Sequence, residues 1–441
     1  MSELTDRLWE QFGSLSLEEL PADVVTVARH CVLDWFGCAT AGSREPLASI
    51  LRDEFVSESG PCSIVGSPLR ADPYRAALVN GVAGHALDFD DTNMIMGGHA
   101  TVPLLPAVLA LAEEGGRCGA DVIVAYVVGM EVQSRVGTSI GGEHYASGWH
   151  TTSTIGVFGA AAAAGWLLGL DSERFGAAMG IAASNAAGVK ANFGTMTKPL
   201  HPGQAAERGL MAARLASRGF TANSGAVDGN QGFAQAAGSG TLDRARIDSL
   251  EGGWATPKTL FKFHAACHLT HAGIEATTSL LAAGIDLAEI EGIKVIVNPA
   301  TLDVCGIADP RTGLEAKFSL RGTQALLVHG VDTAGVAGFE DGPINRPDIQ
   351  TFIDRVVVET DDALTNMQTR VEVSTASGLH LGASDVGRPN TDLVAQGIRL
   401  RSKFEALVGP VLGVEAARSL GDAFSRLDEL ASVDEVFALS R

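Results

Sequence analysis

The stretch VFGAAAAAGWLLGL, residues 157–170, consists almost entirely of apolar and small side chains. It ends at Asp171 after 14 residues, whereas an apolar helix needs about 20 residues to cross a bilayer. Small side chains let two helix axes approach closely. The stretch therefore predicts a buried helix in a densely packed, helical part of the protein.

Similar patterns occupy the chain up to about residue 250. Residues 20–42 begin a helical pattern after Pro21 and end in glycine, as helices commonly do. Residues 119–137 repeat apolar side chains at intervals of three and four, and residues 174–188 and 203–220 are rich in alanine. We expect all four segments to be helices of one large all-helical domain.

The pattern changes after residue 285. Residues 291–299, 355–360 and 369–384 alternate apolar and polar side chains, which is typical of strands. The last of these segments contains a Ser-Gly turn that indicates a hairpin, and helical patterns lie around the strands. The second part of the chain is therefore predicted to be a smaller α+β domain.

A chain of 441 residues exceeds one ordinary hydrophobic core, so two domains are expected. We place the all-helical domain at residues 1–255 and the α+β domain at residues 256–404. The helices of residues 405–441 are expected to pack back on the first domain. The predicted fold class is thus mainly α with a smaller α+β domain.

The composition excludes several classes of protein. Apolar residues make up 46% of the chain and charged residues 19%, which is typical of a globular enzyme. The formal charge is −20 and no cluster of lysines and arginines is present, so nucleic-acid binding is not expected. The six cysteines lack a CxxC spacing, and the N-terminus lacks an apolar signal core. We therefore predict a cytoplasmic protein with free thiols and no membrane span.

Two kinds of motif do not lead to a function. Residues 137–141, GTSIG, match the nucleophile elbow GxSxG, but that motif follows a strand and the preceding pattern here is helical. A nucleophilic Ser139 is therefore not expected. Neither GxGxxG nor a P-loop is present, so the sequence predicts no nucleotide cofactor.

Three aspartates, Asp88, Asp90 and Asp91, lie between His85 and His99 in an otherwise apolar segment. Carboxylates and histidines together can bind magnesium, manganese or iron. The three aspartates cannot all point the same way from one helix or strand, and most buried carboxylates are caps or ion-pair partners. We therefore predict no metal and no cofactor.

Eight of the eleven histidines lie between residues 85 and 271, and several share short segments with a lysine. Any one of them alone is more often structural than catalytic. Their concentration in a glycine-rich chain with few charges instead favours a catalytic site. The segments contain His144, Tyr145 and His150, then Lys198 and His201, then Lys262, His264, His268 and His271.

Six segments carry a resemblance to a known family. They are NGVAGHALDFDDT (80–92), GGHATVPLLPAVLA (97–110), GWHTTSTIGVFGAAAAA (148–164), TKPLHPGQAAERG (197–209), KFHAACHLTH (262–271) and EAKFSL (315–320). On these segments the chain resembles the MmgE/PrpD family, which includes 2-methylcitrate dehydratases, cis-aconitate decarboxylases and iminodisuccinate epimerases. The resemblance spans nearly the whole chain. It implies a large helical domain, a smaller α+β domain, an active site between them and a homodimer.

The resemblance also implies site residues. In decarboxylases of the family, the DFDDT motif supplies an aspartate and a threonine, and later motifs supply two histidines and two lysines. The matching residues of this chain are Asp88, Thr92, His99, His150, Lys198 and Lys262.

The chain departs from the family pattern at two places. Many members have Lys-x-Tyr-Pro where this chain has Lys262-Phe263-His264-Ala265. After KFSL, members often carry a tyrosine two residues on, where this chain has Arg321-Gly322.

The reactions that the resemblance implies all develop charge on a carbon next to a carboxylate. Histidine suits the proton transfer because its pKa is near neutral, and fixed cations such as Lys198 and Lys262 can stabilise the developing dianion. The catalytic candidates are Asp88, His99, His150, Lys198 and Lys262. The substrate-binding candidates are Thr92, Tyr145, His201 and Arg321.

The two histidines that follow family motifs are expected to have different roles. We expect His150 to transfer the proton, because Tyr145 and Gly148 precede it and can place a second donor beside it. Asp88 is expected to lie near His99 and to hold that ring charged, as a neighbouring carboxylate does.

We therefore predict a cofactor-independent lyase or isomerase that acts at the carbon alpha to a carboxylate of a small di- or tricarboxylate. A 2-methylcitrate dehydratase-like hydro-lyase is the first hypothesis. The alternative is a cis-aconitate decarboxylase-like or iminodisuccinate epimerase-like activity. A metal-dependent hydrolase and a non-catalytic helical scaffold are further alternatives.

Overall fold

The computed structural model describes residues 3–56, 59–237 and 253–440, and the chain divides into two compact units. The first unit comprises Met1–Phe261 and Thr391–Arg441, and the second comprises Lys262–Asn390. The first unit is helical and the second is α+β, so the predicted fold class is confirmed.

Within the described ranges, the first unit contains most of the helices. In chain order they are α1 Glu3–Phe12, α2 Ala22–Gly42, α3 Pro46–Phe55, α4 Pro73–His85, α5 Leu105–Gly115, α6 Gly119–Ile140, α7 Gly142–Ala146, α8 Thr151–Thr154, α9 Gly156–Leu167, α10 Ser172–Asn185, α11 Thr197–Ser217 and α12 Phe233–Ala236. Three more follow at Leu393–Leu412, Val414–Ser425 and Asp434–Leu439.

The sequence pattern predicted the main helices of this unit well. Helix α2 begins directly after Pro21, whose fixed φ suits a helix start, and it ends at Gly42. Helix α9 is buried along almost its whole length, as its apolar and small side chains predicted. Ser139 lies in the last turn of α6, where its hydroxyl donates to the carbonyl of Val136, which agrees with the rejection of a nucleophile elbow.

Glycines let the central helices cross at short range. A Cβ atom on Gly81 of α4 would lie 2.7 Å from the Cα of Gly203 on α11, and one on Gly129 of α6 would lie 2.7 Å from the carbonyl oxygen of Gly159 on α9. Only glycine permits these crossings without a shift of backbone. The first crossing brings the end of α4 beside the start of α11, and both ends carry residues of the candidate site.

The first unit also contains two short antiparallel pairs that the sequence analysis did not predict. Strand β1 Cys62–Ser63 pairs with β2 Arg70–Ala71, and β3 Thr92–Asn93 pairs with β4 Thr259–Leu260. Two residues are too few to show the alternation by which a strand is recognised.

The second unit is built on a four-stranded sheet in the order β6-β5-β7-β8. Its strands are β5 Ile290–Val297, β6 Val356–Thr360, β7 Gln368–Thr375 and β8 Gly378–Asp385, and its helices are His268–Ala282, Pro299–Cys305, Gly313–Ala316, Leu320–Val328, Asp341–Ile344 and Pro347–Ile353. Strand β5 runs parallel to β6 and antiparallel to β7, with Val295 opposite Val358 and Val371. The predicted hairpin is confirmed: β7 and β8 are joined by a tight turn that ends at Gly378, whose φ is +138°.

The limits of the two units differ from the predicted limits of 255 and 404. The first unit continues to Phe261 because β4 pairs with β3, and it resumes at Thr391 because the helix Leu393–Leu412 is continuous and packs along α2. The short strand and the early start of this helix carry no strong signal in the sequence.

None of the helices in the described ranges is long and apolar enough to cross a membrane. All six cysteines lie in those ranges and none forms a disulfide. Cys118 is half-buried and the other five are buried, as the absence of a paired spacing predicted.

Candidate active site

A tight turn after α4 sends the three aspartates to three different partners. Helix α4 ends at His85, and Asp88 then adopts a φ of +52°, a left-handed conformation that aspartate tolerates better than most residues. This reversal returns Asp90 to His85, with Asp90 Oδ1 2.9 Å from His85 Nδ1. Asp91 points elsewhere and accepts hydrogen bonds from the backbone N–H and hydroxyl of Thr101. The three aspartates thus do not all face the same surroundings, since Asp91 points away from Asp90 and His85.

A pair of glycines brings His99 against the start of α8. The backbone N–H of His99 donates to Thr152 Oγ1 at 3.1 Å, and the hydroxyl of Thr151 donates to the carbonyl of Gly97. A Cβ on Gly98 would lie 2.7 Å from Thr152 Oγ1, and Gly97 has a φ of +84°. Glycine is therefore required for this approach, which places His99 next to the segment of His150.

His99 lies between two carboxylates. Its Nδ1 is 3.0 Å from Asp90 Oδ2 and its Nε2 is 3.3 Å from Asp88 Oδ1. A neutral imidazole has only one N–H, so both contacts are hydrogen bonds only when each ring nitrogen carries a proton. The geometry places Asp88 beside His99, as the sequence analysis expected.

Lys198 joins this group from the first turn of α11. Its Nζ lies 2.8 Å from Asp88 Oδ1 and 5.4 Å from the centre of the Phe193 ring. The Lys198 side chain is 18% exposed, so its charge is partly shielded from water yet still reachable. One carboxylate, Asp88, therefore contacts both the ammonium of Lys198 and the imidazole of His99.

His150 and His201 form a second pair. His150 precedes α8 and donates its backbone N–H to the carbonyl of Gly188, and its Nδ1 lies 3.0 Å from Nδ1 of His201. One of these two nitrogens donates and the other accepts, so a single proton bridges the two rings. Lys198 and His201 are three residues apart on α11 and therefore share one face of that helix.

The four imidazoles form a continuous row in the order His201, His150, His85, His99. Successive ring centres are 5.3, 6.1 and 4.4 Å apart. The row ends at the charged pair of Lys198 and Asp88, so titratable groups are concentrated in one small volume of the first unit.

Burial sets the protonation states along this row. Burial lowers the pKa of His85 to about 4 in spite of its contact with Asp90. Burial, followed by the positive charges around it, also lowers the pKa of His150 below its ordinary value, and the pKa of His201 is lowered by burial and by Lys198. Burial alone would raise the pKa of Asp90, but His85 and His99 lower it. Neutral imidazoles therefore lie beside an ionised carboxylate.

Asp91 is expected to make stability depend on pH. Burial, aided by the charge of Asp34, raises its pKa from 3.8 to about 7, so the folded protein keeps a proton that the unfolded chain releases between about pH 4 and 7. The contribution of Asp91 to stability therefore falls as the pH rises through that window. Asp91→Asn cannot ionise, and we expect it to gain stability relative to the wild type from pH 5 to pH 8, by at most about 1.4 kcal/mol per pH unit.

Urea unfolding at pH 5 and pH 8 measures this difference. Asp53→Asn, at an exposed position on α3, serves as the control and should show no such change with pH. The expectation would be contradicted if the free energies of unfolding of Asp91→Asn and the wild type differed by the same amount at pH 5 and at pH 8.

Four of these side chains also have the arrangement of a possible cation site. His85, Asp88, Asp90 and His99 each offer one ligand atom, and these atoms lie within 4.8 Å of one another. Lys198 Nζ already lies beside Asp88, and its positive charge repels a cation that would bind there. The prediction of no metal therefore stays a prediction, with a test given below.

The remaining substrate-binding candidates of the first unit are Thr92 and Tyr145. Thr92 is in β3, opposite Leu260, and the Tyr145 ring lies 3.6 Å from Nζ of Lys190. Tyr145 also lines a cavity of about 500 Å³, which reaches Gly97 and Thr151. These last two residues are close in sequence to His99 and His150, so the cavity adjoins the two histidine segments.

Lys262 and Arg321 lie in the second unit. Lys262 is buried and its charge contributes to a lowered pKa of His271, after burial and two neighbouring histidines. Arg321 is in the first turn of the helix Leu320–Val328. His264, a departure from the family pattern, contacts Thr333 through Nδ1 at 2.9 Å. The second unit thus has its own group of titratable side chains.

The structure brings together Asp88, His99, His150, Lys198 and His201 from the predicted set, and it adds two residues to them. His85 and Asp90 were noticed in the sequence but were not assigned to the site. Their five-residue separation matches neither a helix face nor a strand face. The signal that was available is the HALDFDD segment itself, in which a histidine and three carboxylates follow an apolar helix.

Buried neutral imidazoles beside a lysine–carboxylate pair define an acid–base enzyme with a local cationic group for an anion. The comparisons give the family. The MmgE/PrpD N-terminal domain matches residues 7–245, and the MmgE/PrpD C-terminal domain matches residues 264–429. The chain belongs to the MmgE/PrpD family.

Curated relatives agree with this assignment. A cis-aconitate decarboxylase from Aspergillus terreus is 27% identical over an alignment of 475 positions, gaps included. The alignment covers 99% of this chain and 96% of the relative. One from Homo sapiens is 31% identical over 379 residues, with coverage of 81% and 77%, and one from Mus musculus is 27% identical over 450 residues, with coverage of 98% and 92%. The protein is therefore an enzyme of the lyase type within this family.

Proposed function

We propose that this lyase acts at the carbon next to a carboxylate of a small di- or tricarboxylate, with cis-aconitate decarboxylation as the first candidate reaction. The observation that carries the proposal is the Lys198 ammonium, fixed by Asp88 at one end of a row of four imidazoles. An anion can be held there and a proton moved within the same small volume. The proposal of this reaction, rather than the 2-methylcitrate dehydration expected from the sequence, is supported by relatives that are named cis-aconitate decarboxylase.

The chemistry of that reaction matches the groups present. In cis-aconitate, the bond between the CH₂ carbon and its carboxylate breaks, CO₂ leaves, and the electron pair enters the allylic system. Negative charge then accumulates on the carboxylate at the far end of that system. A proton adds to the carbon beside it, and methylenesuccinate results. A fixed cation at the charged carboxylate and one proton donor are sufficient for these steps.

We assign the cationic role to Lys198 and the proton transfer to His150. The neutral ring of His150 can accept a proton, and its bridging hydrogen bond with His201 orients it. A bound tricarboxylate adds negative charge beside the ring, which favours its protonated form and allows the same group to donate. His99, bracketed by Asp88 and Asp90, is assigned to carboxylate binding. Thr92, Tyr145, His201, Lys262 and Arg321 remain candidates for further substrate contacts.

Dehydration or epimerisation is the second candidate. These reactions begin with removal of a proton next to a carboxylate, which a neutral base such as His150 can do. The departure from the family pattern at Arg321-Gly322, where members often carry a tyrosine, favours a reaction other than decarboxylation.

Proton NMR in D₂O against a panel of di- and tricarboxylates tests the proposal. With cis-aconitate, we expect methylenesuccinate that carries one deuterium on the carbon next to a carboxylate. With a substrate of the second candidate, exchange of the α-proton should occur without loss of CO₂. Absence of product and of exchange with the whole panel would overturn the proposal.

Turnover is expected to require no divalent metal, because Lys198 supplies a positive charge beside Asp88. Enzyme treated with EDTA and freed of it by gel filtration should keep its full turnover rate. Complete loss of turnover that a divalent ion restores would assign a cation to His85, Asp88, Asp90 and His99 instead.

A homodimer is expected in solution, because an alanine- and glycine-rich helical unit has many apolar faces to bury. Light scattering at micromolar concentration should give about twice the chain mass of 45.7 kDa. A mass of one chain at that concentration would contradict this expectation.

A further inference from the structure

A buried ion pair lies directly below the turn that carries Asp88 and Asp90. Lys403, from the helix Leu393–Leu412, places its Nζ 2.6 Å from Oδ1 of Asp34 on α2. The two side chains are 4% and 0% exposed. Burial alone would lower the pKa of Lys403, but the charge of Asp34 raises it, so the lysine is charged.

The same ammonium binds the backbone of the turn. Lys403 Nζ donates to the carbonyl oxygen of Phe89 at 2.8 Å, and it lies 3.9 Å from the centre of the Phe89 ring. Phe89 stands between Asp88 and Asp90 and is fully buried. A residue more than 300 positions away in the sequence thus binds the carbonyl of Phe89, the single residue between Asp88 and Asp90.

This contact matters because the turn is not a relaxed one. Asp88 has a φ of +52°, which costs free energy for any residue with a side chain and persists only where the surroundings enforce it. After the turn, the carboxylate of Asp91 accepts two hydrogen bonds from Thr101. Within the turn, the carbonyl of Phe89 accepts a hydrogen bond from the Lys403 ammonium.

The burial of a charge at this place also needs a reason. A well-packed apolar pair of similar volume is often as stable as a buried ion pair, because both charges lose their hydration. An apolar side chain cannot donate a hydrogen bond to the carbonyl of Phe89. The feature that distinguishes Lys403 from an apolar substitute is therefore its contact with the turn.

We propose that Lys403 is a positioning residue for the reaction: its ammonium fixes the Phe89 carbonyl and thereby the placement of Asp88 against Lys198 and of Asp90 against His99. The inference rests on the proposed function for its kinetic part. The claim that Lys403 holds the turn in place does not depend on which substrate is used.

Two substitutions separate positioning from simple loss of an ion pair. Lys403→Met removes both the ion pair and the contact with Phe89, whereas Asp34→Asn removes the ion pair and leaves the Lys403 amino group, which donates to the carbonyl of Phe89 in either protonation state. We expect kcat of Lys403→Met to fall by about 10²-fold, the scale for a displacement of catalytic groups by about 1 Å, with a much smaller change in Asp34→Asn. If Lys403→Met does not fold, the double variant Lys403→Met with Asp34→Leu takes its place, because it leaves neither a donor to Phe89 nor an unpaired buried charge.

Hydrogen exchange followed by mass spectrometry supplies a readout that needs no substrate. In Lys403→Met, exchange of the amides of residues 88–92 should quicken relative to the rest of the first unit, while Asp34→Asn should retain slow exchange there. Exchange that quickens uniformly over α2, α4 and the turn would show a structural role only and would overturn the proposal.

A double-mutant cycle completes the test. If Lys403 acts through the turn, Lys403→Met should add little to the loss of kcat/KM already caused by replacing both Asp88 and Asp90 with asparagine, whereas independent effects would multiply. Multiplying effects, equal losses in Lys403→Met and Asp34→Asn, or an unchanged kcat in folded Lys403→Met would each overturn the proposal. Absence of turnover in the wild type would instead count against the proposed function, and the exchange measurement would still decide the role of Lys403.

Discussion

Replacing Lys198 by alanine is expected to lower kcat/KM by roughly 10²-fold, which corresponds to about 3 kcal/mol of transition-state stabilisation. The Lys198 ammonium lies 2.8 Å from Asp88 and is only partly exposed, so its field acts in a medium less polar than water. Developing negative charge on a substrate carboxylate loses this stabilisation when the side chain is removed. Steady-state kinetics with the substrate identified by NMR measure the change.

The fold of Lys198→Ala should remain intact, because Asp88 keeps its contact with His99 Nε2 at 3.3 Å. Circular dichroism and the midpoint of thermal unfolding check this. Lys294→Ala is the matched control: Lys294 bridges Glu359 and Glu372 on the sheet of the second unit and should not affect turnover. An active Lys198→Ala variant, or one that loses its fold, would return Lys198 to a structural role.

Much of the fold could be predicted because it depends on local patterns. Helix α2 follows from Pro21 and Gly42 at its ends, α9 from its run of small residues, and the β7–β8 hairpin from alternation around a Ser-Gly turn. The limits of the units could not be predicted, because they depend on pairing between residues far apart in the sequence. The contact of β3 with β4 joins positions that are separated by more than 160 residues.

The site was predictable to the extent that its residues belong to recognisable segments. Asp88, His99, His150, Lys198 and His201 converge as their motifs suggested. The roles of the individual carboxylates were not predictable, because they follow from one backbone dihedral angle.

That dihedral angle is the left-handed φ of Asp88, which directs Asp90 back to His85 and sends Asp91 to Thr101. Lys403 was not predicted either, since its partners Asp34 and Phe89 come from two other segments of the chain. Contacts of this kind have no signature in a single sequence.

The acidic character of the chain is compatible with the proposed binding of a carboxylate, because net charge and local cationic groups act at different ranges. A formal charge of −20 sets the potential around the whole molecule, which salt screens over about 10 Å. Within the site, the ammonium of Lys198 and the imidazole of His99 act on a ligand at contact distance. We therefore expect substrate binding to depend on these two groups rather than on the net charge.

Replacement of the two histidines is expected to affect catalysis asymmetrically. The buried, neutral ring of His150 is oriented by His201 and can exchange a proton, so His150→Ala should abolish incorporation of deuterium at the carbon next to the carboxylate. His99 lies between Asp88 and Asp90, so we assign it to substrate binding rather than to proton transfer. His99→Asn keeps an amide NH₂ group as a donor there, and it should chiefly raise KM.

Deuterium incorporation by NMR and steady-state kinetics on both variants measure this asymmetry. His30→Gln is the matched control, because His30 contacts Gln396 through Nδ1, away from the row of imidazoles. If His99→Asn abolishes exchange while His150→Ala leaves it intact, the two roles are reversed, and the doubly bracketed ring is the proton donor. Loss of exchange in both variants with unchanged KM would mean that the row transfers the proton as a unit, because neither ring then acts as a separate binding group.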